Sequence, residues 1–172
     1  MVRCFMAIEL PIKVKEKVWS ENLVVGQFGE MSIVKKENLH ITLRFLGHLT
    51  EEQVEQFKKA MDSIALKKFT IKLVGVGVFP SLSHAQVIWV GSSSGHDEIV
   101  ELSKKLGNPD AEPHVTVARV KNLLKRKGLR DYVNKNEGKE FGEFVCDKIT
   151  LFKSELGSDG AKYTKLYEKQ LS

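Results

Sequence analysis

Residues 39–47 read Leu39-His40-Ile41-Thr42-Leu43-Arg44-Phe45-Leu46-Gly47, a short segment in which apolar and polar side chains alternate up to a glycine. Period two is the pattern of a half-buried strand, so Ile41, Leu43 and Phe45 are expected on one face and His40, Thr42 and Arg44 on the other. An imidazole, a hydroxyl and a guanidinium then stand in a row over a hydrophobic back. The same device returns at residues 113–119, Pro113-His114-Val115-Thr116-Val117-Ala118-Arg119, where His114 and Thr116 share a face opposite Val115 and Val117. By strict alternation Arg119 points away from His114, so its place in a common pocket requires twist or a bulge. One His-x-Thr tripeptide is a weak signal; two among only five histidines are more informative. On the residues alone two readings stand side by side. Both histidines are satisfied structural groups on strand faces, or two similar half-domains bring them together across a cleft.

The chain around these segments alternates strand and helix patterns. Residues 2–10 read as a strand, with Val2, Cys4, Met6 and Ile8 alternating against Arg3, Phe5 and Ala7. Pro11 ends it and suits a helix start. From Ile12 to about Leu23 the positions Val14, Val18, Trp19 and Leu23 form an apolar stripe under a lysine-rich outer face. A short strand at 31–35 leads through the turn Lys36-Glu37-Asn38 into the first histidine strand. Thr50 with Gln53 has the capping-box pattern for a helix that buries Val54, Phe57, Met61 and Ile64. Strands follow at 69–79 and 85–91, with Gly75 and Gly77 marking a bulge or a close backbone approach. The loop Pro80–His84, with its Ser-Leu-Ser, is placed at the mouth of a cleft. A helix at 96–106 has Ile99, Leu102 and Leu106 as its seam. A turn at 108–113 delivers His114, and a basic helix is expected at 122–134. One strand is expected over 140–152 and another over 162–170, with a loop at 157–160. This order gives an α+β protein in two halves that look like diverged copies, each with one His-x-Thr strand, both central and facing a common groove, and helices on the outer faces.

Composition sets limits on function. The chain has 172 residues, enough for one domain or two small lobes sharing an interface. No apolar run approaches a membrane span, and the first ten residues read as a strand rather than a signal peptide, so the expectation is a cytoplasmic protein without membrane attachment. Cys4 and Cys146 stand alone and are expected to be buried thiols. The formal charge is +5 and the pI about 9.1, which suits RNA or a nucleotide, although the lysines are scattered and form no nucleic-acid-binding arm. A monomer is expected, since no extra apolar helix face stands out.

Two facing imidazoles can run acid–base chemistry without a cofactor. The neutral ring takes a proton from a nucleophilic water and the protonated ring gives one to the leaving oxygen. Thr42 and Thr116 can each donate a hydrogen bond to a non-bridging phosphate oxygen. Arg44 and Arg119 are candidate substrate-binding groups. No third His, Cys or carboxylate groups with the pair as zinc would require, so no metal is expected. There is no Gly-rich lysine loop for ATP either, and no cofactor is expected. His48, His84 and His96 read as loop or surface residues. The residues leave open which histidine is the acid.

With these residues quoted, the chain resembles the two-histidine phosphoesterases, and within them the bacterial and archaeal RNA 2',3'-cyclic phosphodiesterases, also called 2'-5' RNA ligases. The resemblance runs over nearly the whole length: Arg3 to Ile8, His40-Ile41-Thr42-Leu43 with Phe45-Leu46-Gly47, Phe79-Pro80 with Val87 to Gly91, His114-Val115-Thr116-Val117 with Ala118-Arg119, and Leu151 to Leu156 with Tyr163. It implies a bilobal fold of two pseudo-symmetric lobes, each an antiparallel sheet with outer helices, as a single domain over residues 1–172. It implies hydrolysis of RNA 2',3'-cyclic phosphate ends to 2'-phosphomonoesters, with His40 as proton donor, His114 as proton acceptor and Thr42 and Thr116 holding the phosphate. It also implies a reverse ligation in which an RNA 5'-hydroxyl replaces water. Relatives often carry arginine where this chain has Gln86, which leaves Lys72, Arg44 or Arg119 to supply that charge. Action on 2'-5' oligoadenylates or small cyclic nucleotides, and non-catalytic binding of RNA ends, are the other functions compatible with the same residues.

Overall fold

The computed structural model describes residues 1–172. In chain order the elements are β1 (Val2–Glu9), α1 (Ile12–Asn22), β2 (Gly29–Ile33), β3 (His40–Leu49), α2 (Glu51–Asp62), β4 (Phe69–Phe79), β5 (Val87–Ser92), α3 (His96–Lys105), β6 (Val115–Leu123), α4 (Arg126–Lys135), β7 (Glu140–Cys146), β8 (Lys148–Gly157) and β9 (Gly160–Gln170). A 3-10 segment, Leu23–Phe28, joins α1 to β2. The strands form one antiparallel sheet in the order β7-β4-β5-β6-β3-β1-β8-β9, with β2 added on β6. The two histidine strands are the neighbours in the middle of that order. No helix is long and apolar enough to cross a membrane.

The junction between β3 and β6 decides the architecture. β2 occupies the same edge of β6 from Ala118 to Leu123, so β3 meets β6 at one backbone pair only, Ile41↔Val115. Both of those side chains are fully buried. From that point β3 diverges and pairs with β1 along its whole length. A groove therefore opens on the opposite face of the junction. α2 and α3 lie against the β3 side of the sheet, and α1 and α4 against the β4–β7 side. Most of the buried apolar side chains form one cluster beneath these helices, while Phe5, Ala7 and Phe152 form a separate small cluster on the groove side.

Local signals explain most elements. Thr50 caps α2, accepting from Gln53 N at 3.2 Å while Gln53 Oε1 accepts from Thr50 N at 2.9 Å, and Val54 and Met61 are buried as expected. Gly75 has φ +84°, and a Cβ there would meet the Glu137 carbonyl at 2.6 Å; the β4–β5 register shifts at the same place, so this is the bulge. The close backbone approach is at Gly75 as well, while Gly77 makes room for a side chain, since a Cβ there would meet the Trp89 ring at 2.2 Å. Cys4 and Cys146 are free and buried.

Several boundaries differ from the sequence expectation. The single strand expected over 140–152 is two strands broken at Asp147, because β7 pairs with β4 at one end of the sheet and β8 pairs with β1 near the other. The basic helix starts at Arg126, since pairing with β2 carries β6 on to Leu123, and the amides of Leu124 and Lys125 both donate to the Phe28 carbonyl. Leu124, inside the expected span 122–134, lies before the helix and is exposed, while Leu129 is the residue of α4 that is buried. On α1, Lys15 is not on the outer face but buried.

Candidate active site

Continuing the Ile41↔Val115 register by one residue each way sets His40 opposite Thr116 and Thr42 opposite His114. The four side chains project from the face opposite the buried Ile41 and Val115, and all four line one cleft of about 390 Å³. Two copies of a three-residue pattern, crossed antiparallel, thus give each imidazole a hydroxyl from its own strand and one from its neighbour.

Both rings are oriented alike. His40 Nδ1 lies 2.6 Å from the Asn38 carbonyl, and His114 Nδ1 lies 2.6 Å from the Glu112 carbonyl. A carbonyl only accepts, so each Nδ1 carries hydrogen and each Nε2 is left for chemistry. His40 Nε2 accepts from the Thr42 hydroxyl at 2.9 Å in the neutral ring. The turn that holds the Asn38 carbonyl is itself anchored. Asn38 Nδ2 donates to the Ala161 carbonyl at 2.8 Å. The buried Lys15 ammonium donates to the adjoining Glu37 carbonyl at 3.0 Å and pairs with Glu9 at 3.1 Å. These contacts also bring the start of β9 round to the His40 turn, so the outer end of the sheet curls back onto the site.

Burial is the main cause that lowers the His40 pKa to about 4, with the positive charges of His114 and Lys15 adding to it and the Asn38 carbonyl opposing it. In the free site His40 is therefore neutral near pH 7. A phosphate anion held between the histidines would reverse this by favouring the imidazolium.

Aromatic rings brace both histidines. The Phe5 ring is 5.0 Å from the His40 ring, Tyr163 meets His40 edge-on at 5.5 Å, and Phe79 meets His114 edge-on at 5.1 Å. Phe5, Phe79 and Tyr163, together with Arg3, are cleft residues that the two-motif reading did not assign. The first-strand alternation of Arg3, Phe5 and Ala7 was a usable signal for two of them, because that face runs alongside Thr42. No Asp or Glu lines the cleft.

The arginines separate. Between β1 and β3 the register steps from Ala7↔Thr42 to Met6↔Arg44, leaving Leu43 as a bulge. The bulge inverts the alternation: Phe45 joins the His40 face and Arg44 leaves it. Contrary to the period-two expectation, the Arg44 guanidinium donates to the Leu106 carbonyl at 2.8 Å and lies over the Phe57 ring at 5.5 Å, closing the end of α3 outside the cleft. Between β5 and β6 the register steps from Trp89↔Thr116 to Ile88↔Ala118, leaving Val117 as a bulge. This one brings Arg119 onto the His114 face, where it lines the cleft. Phe45 and Arg119 are thus equivalent positions after the two motifs.

The remaining candidates lie outside. Lys72 pairs with Glu140 at 2.7 Å. His48, His84, His96 and Gln86 do not line the cleft, and neither does the Ser81-Leu82-Ser83 loop expected at its mouth. No group of three or more His, Cys, Asp or Glu side chains is placed to hold a metal ion.

Comparison with known proteins bears on the whole of this arrangement. The family description "LigT like Phosphoesterase" matches residues 25–89 and 91–163, one stretch for each histidine motif. The RNA 2',3'-cyclic phosphodiesterase of Methanocaldococcus jannaschii is 33% identical over 97% of this chain and 99% of its own. The protein of the same name from Aquifex aeolicus is 36% identical over 78% of this chain and 79% of its own. Among solved structures, a Thermus thermophilus protein superposes with a TM-score of 0.82 at 25% identity, over 98% of this chain and 97% of the other. Escherichia coli LigT complexed with ATP gives 0.77 at 24% identity, over 99% and 98%, a likeness of fold. With the crossed histidine–threonine pairs at the centre of the same fold, the chain belongs to the LigT-like phosphoesterase family.

Proposed function

We propose that this protein hydrolyses the 2',3'-cyclic phosphate at RNA ends to a 2'-phosphomonoester, by acid–base catalysis between His40 and His114. The observation that carries the proposal is the single Ile41↔Val115 pair, whose register crosses the two His-x-Thr motifs on one face of a cleft without carboxylates. The sheet parts on either side of that pair, each with two helices, act as two related lobes of one domain; the double match of the family description supports that reading.

The cyclic phosphate enters between the histidines. Thr42 and Thr116 turn their hydroxyls to its non-bridging oxygens, and Arg119 adds positive charge from the bulge of β6. As Thr42 leaves His40 Nε2, the anion beside it draws the pKa of that imidazole up from about 4 and the ring takes a proton. Water attacks phosphorus and passes its proton to His114 Nε2. The P–O3' bond breaks, and O3' takes the proton from His40 Nε2, leaving a 3'-hydroxyl and a 2'-phosphate. The split of donor and acceptor follows the family resemblance. In the free site burial keeps His40 neutral, so the substrate's charge is what fits it for the donor role. With an RNA 5'-hydroxyl in place of water the same steps join two ends through a 2'-5' linkage without ATP. Neither direction routes a step through a metal, so the account requires full activity in a chelator.

His40→Ala and His114→Ala should each lower turnover of a cyclic-phosphate RNA end by about 10²–10⁴-fold or more with the fold retained. Full activity in either variant, or loss of the parent's activity in EDTA, would contradict the mechanism.

A further inference from the structure

We propose that Arg3, with Ser154 and Tyr163 beside it, forms a second anion subsite in the cleft that holds a phosphate on the 5' side of the terminal nucleotide. This rests on the cyclic-phosphodiesterase reading above and narrows its substrate to RNA ends that carry such a phosphate, in preference to cyclic mononucleotides.

The placement comes from strand register. Arg3, Phe5 and Ala7 share one face of β1, and the pairing of β1 with β8 shows no shift across them. Ala7 stands opposite Thr42, at the reacting end. Arg3 stands opposite Ser154 on β8, and Ser154 stands opposite Tyr163 on β9, so the three form a row across adjacent strands. All three line the cleft that contains both histidines. Four residues of strand separate Arg3 from the Thr42 row, about 13 Å at ~3.3 Å per residue. The Phe5 ring lies between, as the apolar floor. That spacing is between backbones, and the long Arg3 side chain covers part of it: its charge acts on Tyr163, whose ring is 5.5 Å from that of His40, which leaves the distance of one ribose between the reacting phosphate and the next.

The charges at this end point the same way. Arg3 is exposed and belongs to none of the ion pairs that occupy Lys15, Lys72, Lys148 and Lys165. The phenol of Tyr163 is pushed up mainly by burial, against the positive charges of Arg119 and Arg3 that both act on it. The positive charges of Arg3 and Arg119 thus both bear on one tyrosine, and all three line a cleft without carboxylates. The Arg3 fork, the Ser154 hydroxyl and the Tyr163 hydroxyl are all donors to phosphate oxygens.

An internucleotide phosphodiester and a free 5'-phosphate offer the same oxygens, and substrates separate them. The parent enzyme is assayed on a nucleoside 2',3'-cyclic phosphate, its 5'-phosphorylated form, and a dinucleotide ending in the cyclic phosphate. The kcat/KM values of the two phosphate-bearing substrates should exceed that of the bare nucleotide by ~10-fold or more. A gain for the dinucleotide alone assigns the subsite to the phosphodiester, and an equal gain for the 5'-phosphorylated nucleotide assigns it to the phosphate as such. Arg3→Gln should bring the ratio of phosphate-bearing to bare substrate towards one, and Arg3→Lys should restore part of it. Equal kcat/KM on all three substrates in the parent would overturn the subsite and leave the activity standing, as would a ratio unchanged by Arg3→Gln. No turnover of any of the three, nor of a longer cyclic-phosphate RNA, would instead overturn the activity on which the subsite rests.

Discussion

His40 and His114 share a local design and differ in surroundings. Each ring is turned by a carbonyl two residues upstream, but His40 also sits against Phe5 and Tyr163, with the buried Lys15 behind its turn. Burial therefore disfavours the charged form of His40, and its pKa falls to about 4. The sign of the ligand effect follows: an anion stabilises the imidazolium and raises the pKa. In an NMR titration His40 should remain neutral down to about pH 4 in the free protein, and its midpoint should move upward with added inorganic phosphate or a nucleoside 2'-phosphate. A midpoint that moves downward, or stays fixed at saturation, would contradict the account of how the donor is charged. Arg44 gives a second residue-scale test. Its guanidinium holds the Leu106 carbonyl and covers Phe57, so Arg44→Ala should remove roughly 1–2 kcal/mol of stability, about 2–8 °C in Tm, with kcat/KM for a cyclic-phosphate RNA end within about twofold of the parent. A tenfold loss of kcat/KM at unchanged Tm would place Arg44 in the site after all.

Among the elements, the bulged strands matter most. In β3 and in β6 one extra residue follows the His-x-Thr unit, Leu43 in the first and Val117 in the second. Each bulge moves the residue at the fifth position after the histidine into the cleft. The first delivers Phe45 and the second Arg119, so two similar strands supply different chemistry from equivalent places. Alternation made His40, Thr42, His114 and Thr116 legible because all four precede the bulges. It misassigned Arg44 and Phe45 because they follow one, and a bulge inside an apolar-polar run leaves no mark on that pattern. The requirement for a bulge at Arg119 was legible, since that residue is out of phase with His114. The β4–β5 hairpin behind Thr116 offers a test at this scale. Gly77 leaves room for the Trp89 ring, which a Cβ would meet at 2.2 Å, and Trp89 stands opposite Thr116. Gly77→Ala should therefore destabilise the protein by about 1–3 kcal/mol, read as a fall in the midpoint of urea unfolding, and should lower kcat/KM as Trp89 is displaced. An unchanged midpoint would show that the ring moves aside freely.

The whole molecule is held together at the site by little backbone and much side chain. One pair, Ile41↔Val115, joins β3 to β6, and the surrounding contacts between the sheet parts come from buried apolar groups beneath the helices. Most of the strand and helix order could be read from periodicity and caps, and the seams of α2 and α3 with it, whereas the antiparallel pairing was implied by the family resemblance and Leu23, placed on the α1 stripe, is exposed. The strand break at Asp147 could not be read from a single alternating run, since it shows only as a change of apolar phase from Phe144 and Cys146 to Ile149 and Leu151 while the chain passes from β4 at one end of the sheet to β1 near the other. Nor could the return of β9 to the His40 turn, which depends on curl and on the Asn38–Ala161 contact. That return is what gives the cleft Tyr163, and with Arg3 it gives the cleft an end that one histidine pair does not imply. The central claim is that the two motifs cooperate on one phosphorus, with His40 protonating the 3' oxygen as water attacks. Its most direct test is the product of incubating the protein in EDTA with a short RNA ending in a 2',3'-cyclic phosphate. The account predicts a 2'-phosphate beside a 3'-hydroxyl, formed by the parent and lost in His40→Ala and His114→Ala; a 3'-phosphate, or the same product from either variant at the parental rate, would contradict it.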